Sequence, residues 1–423
     1  MTLYVFLFDQ FVGTLSTTPN RGIVFQYDLE YLNNGNMPLS LSLPLREEEY
    51  SQAECLPYFS GLLPEGDVRT QVSNYFHVSE TSTMKLLALL GGECSGTVTF
   101  FNKDDIDVEA AKQKISSSWE LSEKNYKVLT EQELANHIRN MVQRPLIAFD
   151  DNLRLSLAGA QSKVSLAYFN NQWHLPLNGA PSTHILKPAR TYLKDIAANE
   201  FICMRLAELF GLSVTHSDLI HFEDIPVYIT KRYDREYDSE NNTIKRLHQE
   251  DFCQALGIIN FVKYQADGGP SLQDSYNLIK DQCTNLIENT EQFINIILYN
   301  YLIGNCDAHG KNFSIILQND KSPLLAPFYD LVSTEVYPGF SPKMAMKIGG
   351  QYNINKLFKE HFIEQATLMD VKTTYLFKKL NIFKEKYSEA FSKIENLEEL
   401  KDYKDLVSYI KSLFIDNLNR IQA

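Results

Sequence analysis

The stretch LIGNCDAHGKNFSIIL, residues 302–317, crowds an Asp, a His, a Lys and an Asn into positions 307–312. A long apolar run, FINIILYNYLIG, leads into it, and an apolar, β-prone run, residues 313–317, leads out. Polar groups at the mouth of two buried elements form either an ordinary solvated loop or a site. The residues downstream bear on the choice. FSIIL, a QNDKSP turn and LLAPFYD predict a β-hairpin whose far strand ends in Phe328, Tyr329 and Asp330.

Phosphoryl transfer needs a carboxylate to accept a hydroxyl proton and oxygen ligands to hold magnesium on the phosphates. Protein kinases place an Asp, an Asn five residues later, a hairpin and a second Asp in that order. Asp307, Asn312 and Asp330 repeat the order and the first spacing, with NCD in place of HRD and Asp330-Leu331-Val332 in place of DFG. Asp-x4-Asn alone is a weak signal, and Asp330 alone reads equally well as a turn residue or helix N-cap. His309 and Lys311 are either loop residues facing water or cations facing phosphates. Asp307, His309 and Asp330 also read as ligands of a hydrolytic metal.

Upstream, THILKP is a strand ended by proline, and it carries Lys187. A lysine facing a cleft from a strand is costly unless an anion meets it. The next segment, IAANEFICMRLAELFG, has a helical apolar stripe with Gly211 as its stop, and it carries Glu200. A strand Lys paired with a helix Glu is how kinases fix their phosphate-binding lysine. Ser156-Leu-Ala-Gly-Ala-Gln-Ser-Lys163 is a small-residue turn that would let backbone N–H groups approach phosphate, although a plain hairpin turn reads the same. Lys231, Arg232 and Tyr233 end the last strand before the helical half, where a hinge between lobes would pass the adenine.

The 423 residues allow two or three domains. We expect an α+β chain with a bilobal protein-kinase-like layout: an N-terminal α+β subdomain over 1–110, a β-rich lobe over 111–245 and a mainly helical lobe over 246–423. LYVFLFD, GIVFQYD, LSLSLPL and GTVTFFN predict strands in the first, and residues 131–142 predict a helix in the second. A net charge of −13 argues against a surface that grips nucleic acid throughout. The one basic cluster, Lys372, Lys378, Lys379, Lys384 and Lys386, reads as a solvated helix face or a patch facing DNA. Six scattered cysteines without CxxC spacing suit reduced, buried thiols. The apolar N-terminus carries Asp9 and no basic region, so it reads as a strand, and a cytoplasmic location with no membrane contact is expected.

With these parts in order, the chain resembles the HipA family of bacterial serine/threonine kinase toxins over nearly its whole length. The segments that carry the likeness are FSGLLPEGDVR, LLGGECSG, SLAGAQSK, THILKP, NEFICMRLAELFGL, QEDFCQALG, KYQADGGPS, IGNCDAHGKNFS and PFYDLVS. The resemblance implies ATP and Mg²⁺ as cofactors and a protein serine as acceptor. It implies Asp307 as the base, Asn312 and Asp330 as metal ligands, and Lys187 on the nucleotide phosphates. Ala158, Gly159, Ala160, Gln161, Ser162 and Lys163 would form the phosphate loop. Lys231, Arg232 and Tyr233 would meet the adenine edge mostly through backbone, and His309, Gly310, Lys311 and Tyr329 would neighbour the nucleotide. Ser156 would be the autophosphorylated serine whose modification ejects the loop and silences the enzyme. Lys231 departs from the acidic residue of the best-known members.

The partners so implied are a helix-turn-helix antitoxin (HipB-like), operator DNA met mainly through that antitoxin, and an aminoacyl-tRNA synthetase as substrate. Two other readings stand beside the kinase toxin: a corepressor with minor catalysis, and a metal-dependent hydrolase.

Overall fold

The computed structural model describes residues 1–34, 37–143, 163–189, 193–318 and 321–422. The N-terminal subdomain is built on an antiparallel sheet. Its strands are Thr2–Leu7, Gln10–Thr18, Gly22–Tyr27 and Val98–Asn102, and Thr2–Leu7 lies between Gln10–Thr18 and Val98–Asn102. One face buries Leu3, Val5 and Phe25 against Tyr58 and Phe59 of helix Gln52–Gly61 and Leu87 of helix Thr83–Leu90. The other face buries Phe6 and Phe101 against Ala111 and Ile115 of helix Val108–Ser118, which runs across the expected boundary at 110.

LSLSLPL, predicted as a strand, is not one: it makes only an isolated bridge between Ser40 and Leu43. Its alternation has a different cause. Leu39 and Leu43 fill the subdomain core, while the residues between them dock onto the helical lobe. Ser40 Oγ donates to Glu250 Oε2 (2.5 Å), the Leu41 N–H donates to Glu250 Oε1 (2.8 Å), and Ser42 Oγ donates to the Gln254 carbonyl (2.7 Å). Burial raises the Glu250 pKa from 4.5 to about 8, and these donors only partly offset it. A carboxyl that holds its proton more tightly when folded loses stability as pH rises from its unfolded to its folded value. Wild type is therefore expected to lose stability relative to Glu250→Gln between about pH 4.5 and 8, as read from urea unfolding at pH 5 and pH 8. A pH-independent gap between the two would count against this.

The middle lobe is a six-stranded antiparallel sheet. Its order is Tyr126–Leu129, Gln172–Pro176, Val164–Phe169, His184–Pro188, Ile225–Lys231, Ser217–Phe222. Leu134 and Ile138 of helix Glu131–Gln143 pack on one face, against Leu166, Leu186 and Val227. The opposite face carries helix Ile196–Phe210, closed by Gly211 in the left-handed region at φ 90°.

That helix also belongs to the core of the helical lobe. Phe210 stacks on Phe414 (5.2 Å between centroids), and Tyr299 donates its hydroxyl to the Cys203 carbonyl (2.5 Å). Helices Leu286–Leu302, Thr373–Glu395 and Lys404–Gln422 complete this core. Backbone bonds from Phe328 N–H to the Ser213 carbonyl (2.8 Å) and from Thr215 N–H to the Phe328 carbonyl (3.0 Å) tie the lobes beside the cleft. The predicted hairpin is present, but its far strand is Lys321–Leu325, which begins inside the expected QNDKSP turn and ends before Phe328; it pairs with Ser314–Gln318, and His248–Asp251 is a third strand.

Of the basic cluster, Lys379 is buried and paired with Glu291 (2.5 Å), and Lys386 donates to the Phe210 carbonyl (3.4 Å). All six cysteines are buried thiols. Among the described residues no helix is long and apolar enough to cross a membrane.

Candidate active site

Pairing His184–Pro188 between two antiparallel neighbours sets Lys187 opposite Tyr228. Its ammonium reaches Glu200 Oε1 of helix Ile196–Phe210 at 2.7 Å and Asp330 Oδ1 at 2.6 Å. Burial works against the charge on Lys187, but Asp330 and Glu200 outweigh it and hold its pKa above the ordinary lysine value. Two carboxylates share this one ammonium. Glu200, buried throughout, is raised to about 7 by desolvation, with Lys187 pulling down and Asp330 pushing up. Burial also works against the Asp330 charge, yet Lys187 keeps that carboxyl well below the usual range. Asp330 adopts φ 61°, a conformation few non-glycine residues take, and it turns the chain directly after Phe328 and Tyr329.

Asp307 stands on the loop after helix Leu286–Leu302. Its N–H donates to Asn305 Oδ1 (3.0 Å), the Cys306 N–H donates to Thr334 Oγ1 (2.8 Å), and Asn312 Nδ2 donates to the Asp307 carbonyl (3.2 Å). These bonds fix the loop without using the Asp307 carboxylate. That carboxylate opens to the cleft and accepts a hydrogen bond from the Tyr264 hydroxyl to Oδ1 at 2.5 Å. The surrounding walls displace water and raise its pKa above that of an ordinary Asp; Tyr264 offsets part of this, and the Asp330 charge adds to it. A more basic carboxylate is a better proton acceptor. Gly310 has no room for a side chain, since a Cβ there would come within 2.4 Å of Pro270 Cγ.

The cationic role considered for His309 is corrected by its surroundings. The imidazole is buried, with Tyr264 edge-on at 5.3 Å, and desolvation lowers its pKa to about 3, so it is neutral at physiological pH. Lys311 keeps its charge, and carboxylates of the chain already meet it. Its ammonium pairs with Asp251 Oδ2 (3.0 Å) and Glu65 Oε1 (3.2 Å) and donates to the Gly61 carbonyl (3.1 Å). The cation beside Lys187 is instead Lys163, lowered to about 8 by burial and then by the Lys187 charge. A buried ammonium lowered by a neighbouring ammonium suits a polyanion, which would meet both charges.

A cavity of about 390 Å³ collects these groups, with Lys163, Lys187, Asp307, Asn312 and Asp330 on its lining. Ile185, Thr230, Tyr233 and Val332 give it apolar and aromatic wall, enough for a small ligand with a flat ring. Asn312 turns its amide nitrogen to the loop, so its oxygen and the Asp330 carboxylate present hard donors of the kind magnesium takes.

At the hinge, the Lys231 N–H donates to the His216 carbonyl (2.9 Å) and the Arg232 N–H to the Thr183 carbonyl (2.8 Å). The Arg232 guanidinium points away from the cleft, into a buried cluster with Glu93 (3.0 Å) and Asp234 (2.8 Å). Tyr233 lies against Tyr329 (5.9 Å between centroids), whose hydroxyl donates to the Lys311 carbonyl (2.9 Å). Ser156 and the loop residues Ala158, Gly159, Ala160, Gln161 and Ser162 lie outside the described residues.

Sequence reasoning assigned no role to Tyr264, Lys263 or Glu65. Their segments, KYQADGGPS and LLPEGDVR, stand out only as part of the resemblance, because neither is near the catalytic loop in sequence.

Comparison with known proteins bears on the family and the fold. The HipA N-terminal domain family matches residues 3–101, and the HipA-like C-terminal domain family matches residues 155–412. The putative kinase Y4mE of Sinorhizobium fredii is 38% identical over 347 residues, covering 82% of this chain and 80% of that one. The serine/threonine-protein kinase toxin HipA of Shewanella oneidensis is 28% identical over 370 residues, covering 85% and 81%. The solved Shewanella oneidensis MR-1 toxin–antitoxin complex of HipA, HipB and operator DNA aligns with a TM-score of 0.84 at 25% identity, over 99% of this chain and 97% of that one. Matched in both its N-terminal subdomain and its two lobes, with a protein-kinase-like fold, the chain belongs to the HipA family.

Proposed function

We propose that the protein is an ATP- and Mg²⁺-dependent serine/threonine protein kinase and the toxin of a toxin–antitoxin pair. It arrests growth by phosphorylating a translation protein, an aminoacyl-tRNA synthetase, and it is silenced by autophosphorylation at Ser156. Its partner is a helix-turn-helix antitoxin, through which it meets operator DNA. The observation that carries the reading is Lys187 held between Glu200 and Asp330, in one cavity with Asp307.

In this reading Lys187 and Lys163 bind the nucleotide phosphates, and the backbone of Lys231, Arg232 and Tyr233 lies along the base. Asn312 and Asp330 hold magnesium, which neutralises charge on the transferred phosphoryl group when bound. Asp307 takes the proton of the acceptor hydroxyl onto its carboxylate, and its raised basicity favours that transfer. His309, neutral and packed on Tyr264, keeps the loop in shape. Phosphate on Ser156 would add nearly two negative charges next to a loop meant for phosphates, which accounts for silencing. The hydrolase reading requires converging metal ligands, and among the described residues no three His, Cys, Asp or Glu side chains form such a group.

The test is incubation of purified protein with ATP and Mg²⁺, followed by intact mass and peptide mapping. One phosphate on Ser156 is expected. Unmodified protein beside intact ATP would sink the kinase reading and favour the corepressor.

A further inference from the structure

The catalytic loop is anchored partly from outside the two kinase lobes. Glu65, in the N-terminal subdomain at the start of helix Gly66–Tyr75, is 9% exposed and reaches the edge of the cleft. Its Oε2 pairs with Lys263 Nζ at 3.0 Å and its Oε1 with Lys311 Nζ at 3.2 Å, while Lys311 also pairs with Asp251 at 3.0 Å. Two ammonium groups are thus balanced by two carboxylates, of which Glu65 alone touches both lysines.

Both lysines lead to the reacting group. Lys311 lies within the catalytic loop, between Asp307 and Asn312. The Lys263 carbonyl accepts from the Gly310 N–H (3.3 Å), and the next residue, Tyr264, donates its hydroxyl to the Asp307 carboxylate. Tyr264 also closes edge-on over His309. One carboxylate therefore fixes the loop from inside, through Lys311, and from its far wall, through the Lys263–Tyr264 segment.

We infer that Glu65 is a positioning residue for phosphoryl transfer, holding Asp307 in place through Lys311 and through Lys263 and Tyr264. It makes the N-terminal subdomain a working part of the catalytic site. This rests on the kinase function proposed for the cleft. Displacement of a reacting group by about 1 Å can lower a rate about 100-fold without weakening ligand binding.

Glu65→Gln keeps the shape of the side chain and removes the charge that both lysines use. Its maximal rate of phosphate incorporation with ATP and Mg²⁺ is expected to fall about tenfold or more, with the half-saturating ATP concentration within about twofold of wild type. Glu65→Asp is expected to recover part of the rate. If Glu65→Gln does not fold, Lys263→Met carries the same comparison, because it leaves Glu65 paired with Lys311. A merely structural role would lower the Tm and leave the rate of the folded protein unchanged, and that result overturns the inference while leaving the kinase reading intact. Wild type that incorporates no phosphate overturns both.

Discussion

Asp307→Asn is expected to lower the maximal rate of phosphoryl transfer by about 10²–10⁴-fold, the span of a lost general base. The substitution is almost silent in structure. The loop is held by the Asp307 N–H and carbonyl, and by the Cys306 N–H, none of which changes. The Asn carbonyl oxygen can still accept from Tyr264, whose hydroxyl now lies 2.5 Å from Oδ1. What is lost is the capacity to take up a proton at neutral pH. Half-saturating ATP should stay within about twofold, because Lys163 and Lys187, the lysines proposed to bind the phosphates, are untouched; equal falls in kcat and kcat/KM mark an interaction made only in the transition state. Steady-state kinetics with labelled ATP reads both. A rate close to that of wild type would remove Asp307 from the role of base.

The second large effect concerns stability. Glu93→Gln is expected to destabilise the protein by about 3–5 kcal/mol, the range seen when one member of a buried ion network is removed. Glu93 is fully buried, with Arg232 at 3.0 Å, Arg235 at 2.6 Å and Arg246 at 3.6 Å, and it also accepts from the Ser182 N–H and hydroxyl, both at 2.9 Å. Burial raises its pKa, but the three guanidinium groups, Arg235 foremost, overcome that and bring it to about 2. Without Glu93, among the described residues Asp234 is left as the one carboxylate paired with Arg232 and Arg235. The network joins the N-terminal subdomain to the middle lobe directly behind the hinge, so the two should loosen together. Urea unfolding at pH 7 measures the loss, and a change under about 1 kcal/mol would show that the arginines find other partners.

These two residues were unequally visible in the sequence. Asp307 was legible because its signal is local: an apolar helix ends, Asn follows at a fixed spacing, and a hairpin returns to a second Asp. Strand His184–Pro188 and helix Ile196–Phe210 were legible for the same reason, since alternation, a helical stripe and a terminal glycine write themselves within a few residues. LSLSLPL shows the limit. Its alternation is real, but Ser40 and Ser42 dock onto Glu250 and Gln254 where a ladder was expected. His309 and Lys311 show another: their residue types were plain, whereas burial decided that one is neutral and Asp251 and Glu65 decided where the other points.

The order of the parts is written in the chain: small-residue loop, strand lysine, helix glutamate, hinge, Asp-x4-Asn, hairpin and terminal Asp. Which charges meet depends on how those parts pack. Glu65 and Lys263 are 198 positions apart, and Glu93 and Arg232 are 139 apart. Periodicity and spacing act over a turn or a strand, so they fix an element and the face it buries. An ion pair between distant segments depends on how those faces pack and on how far water is excluded where they meet, and no local pattern carries that information.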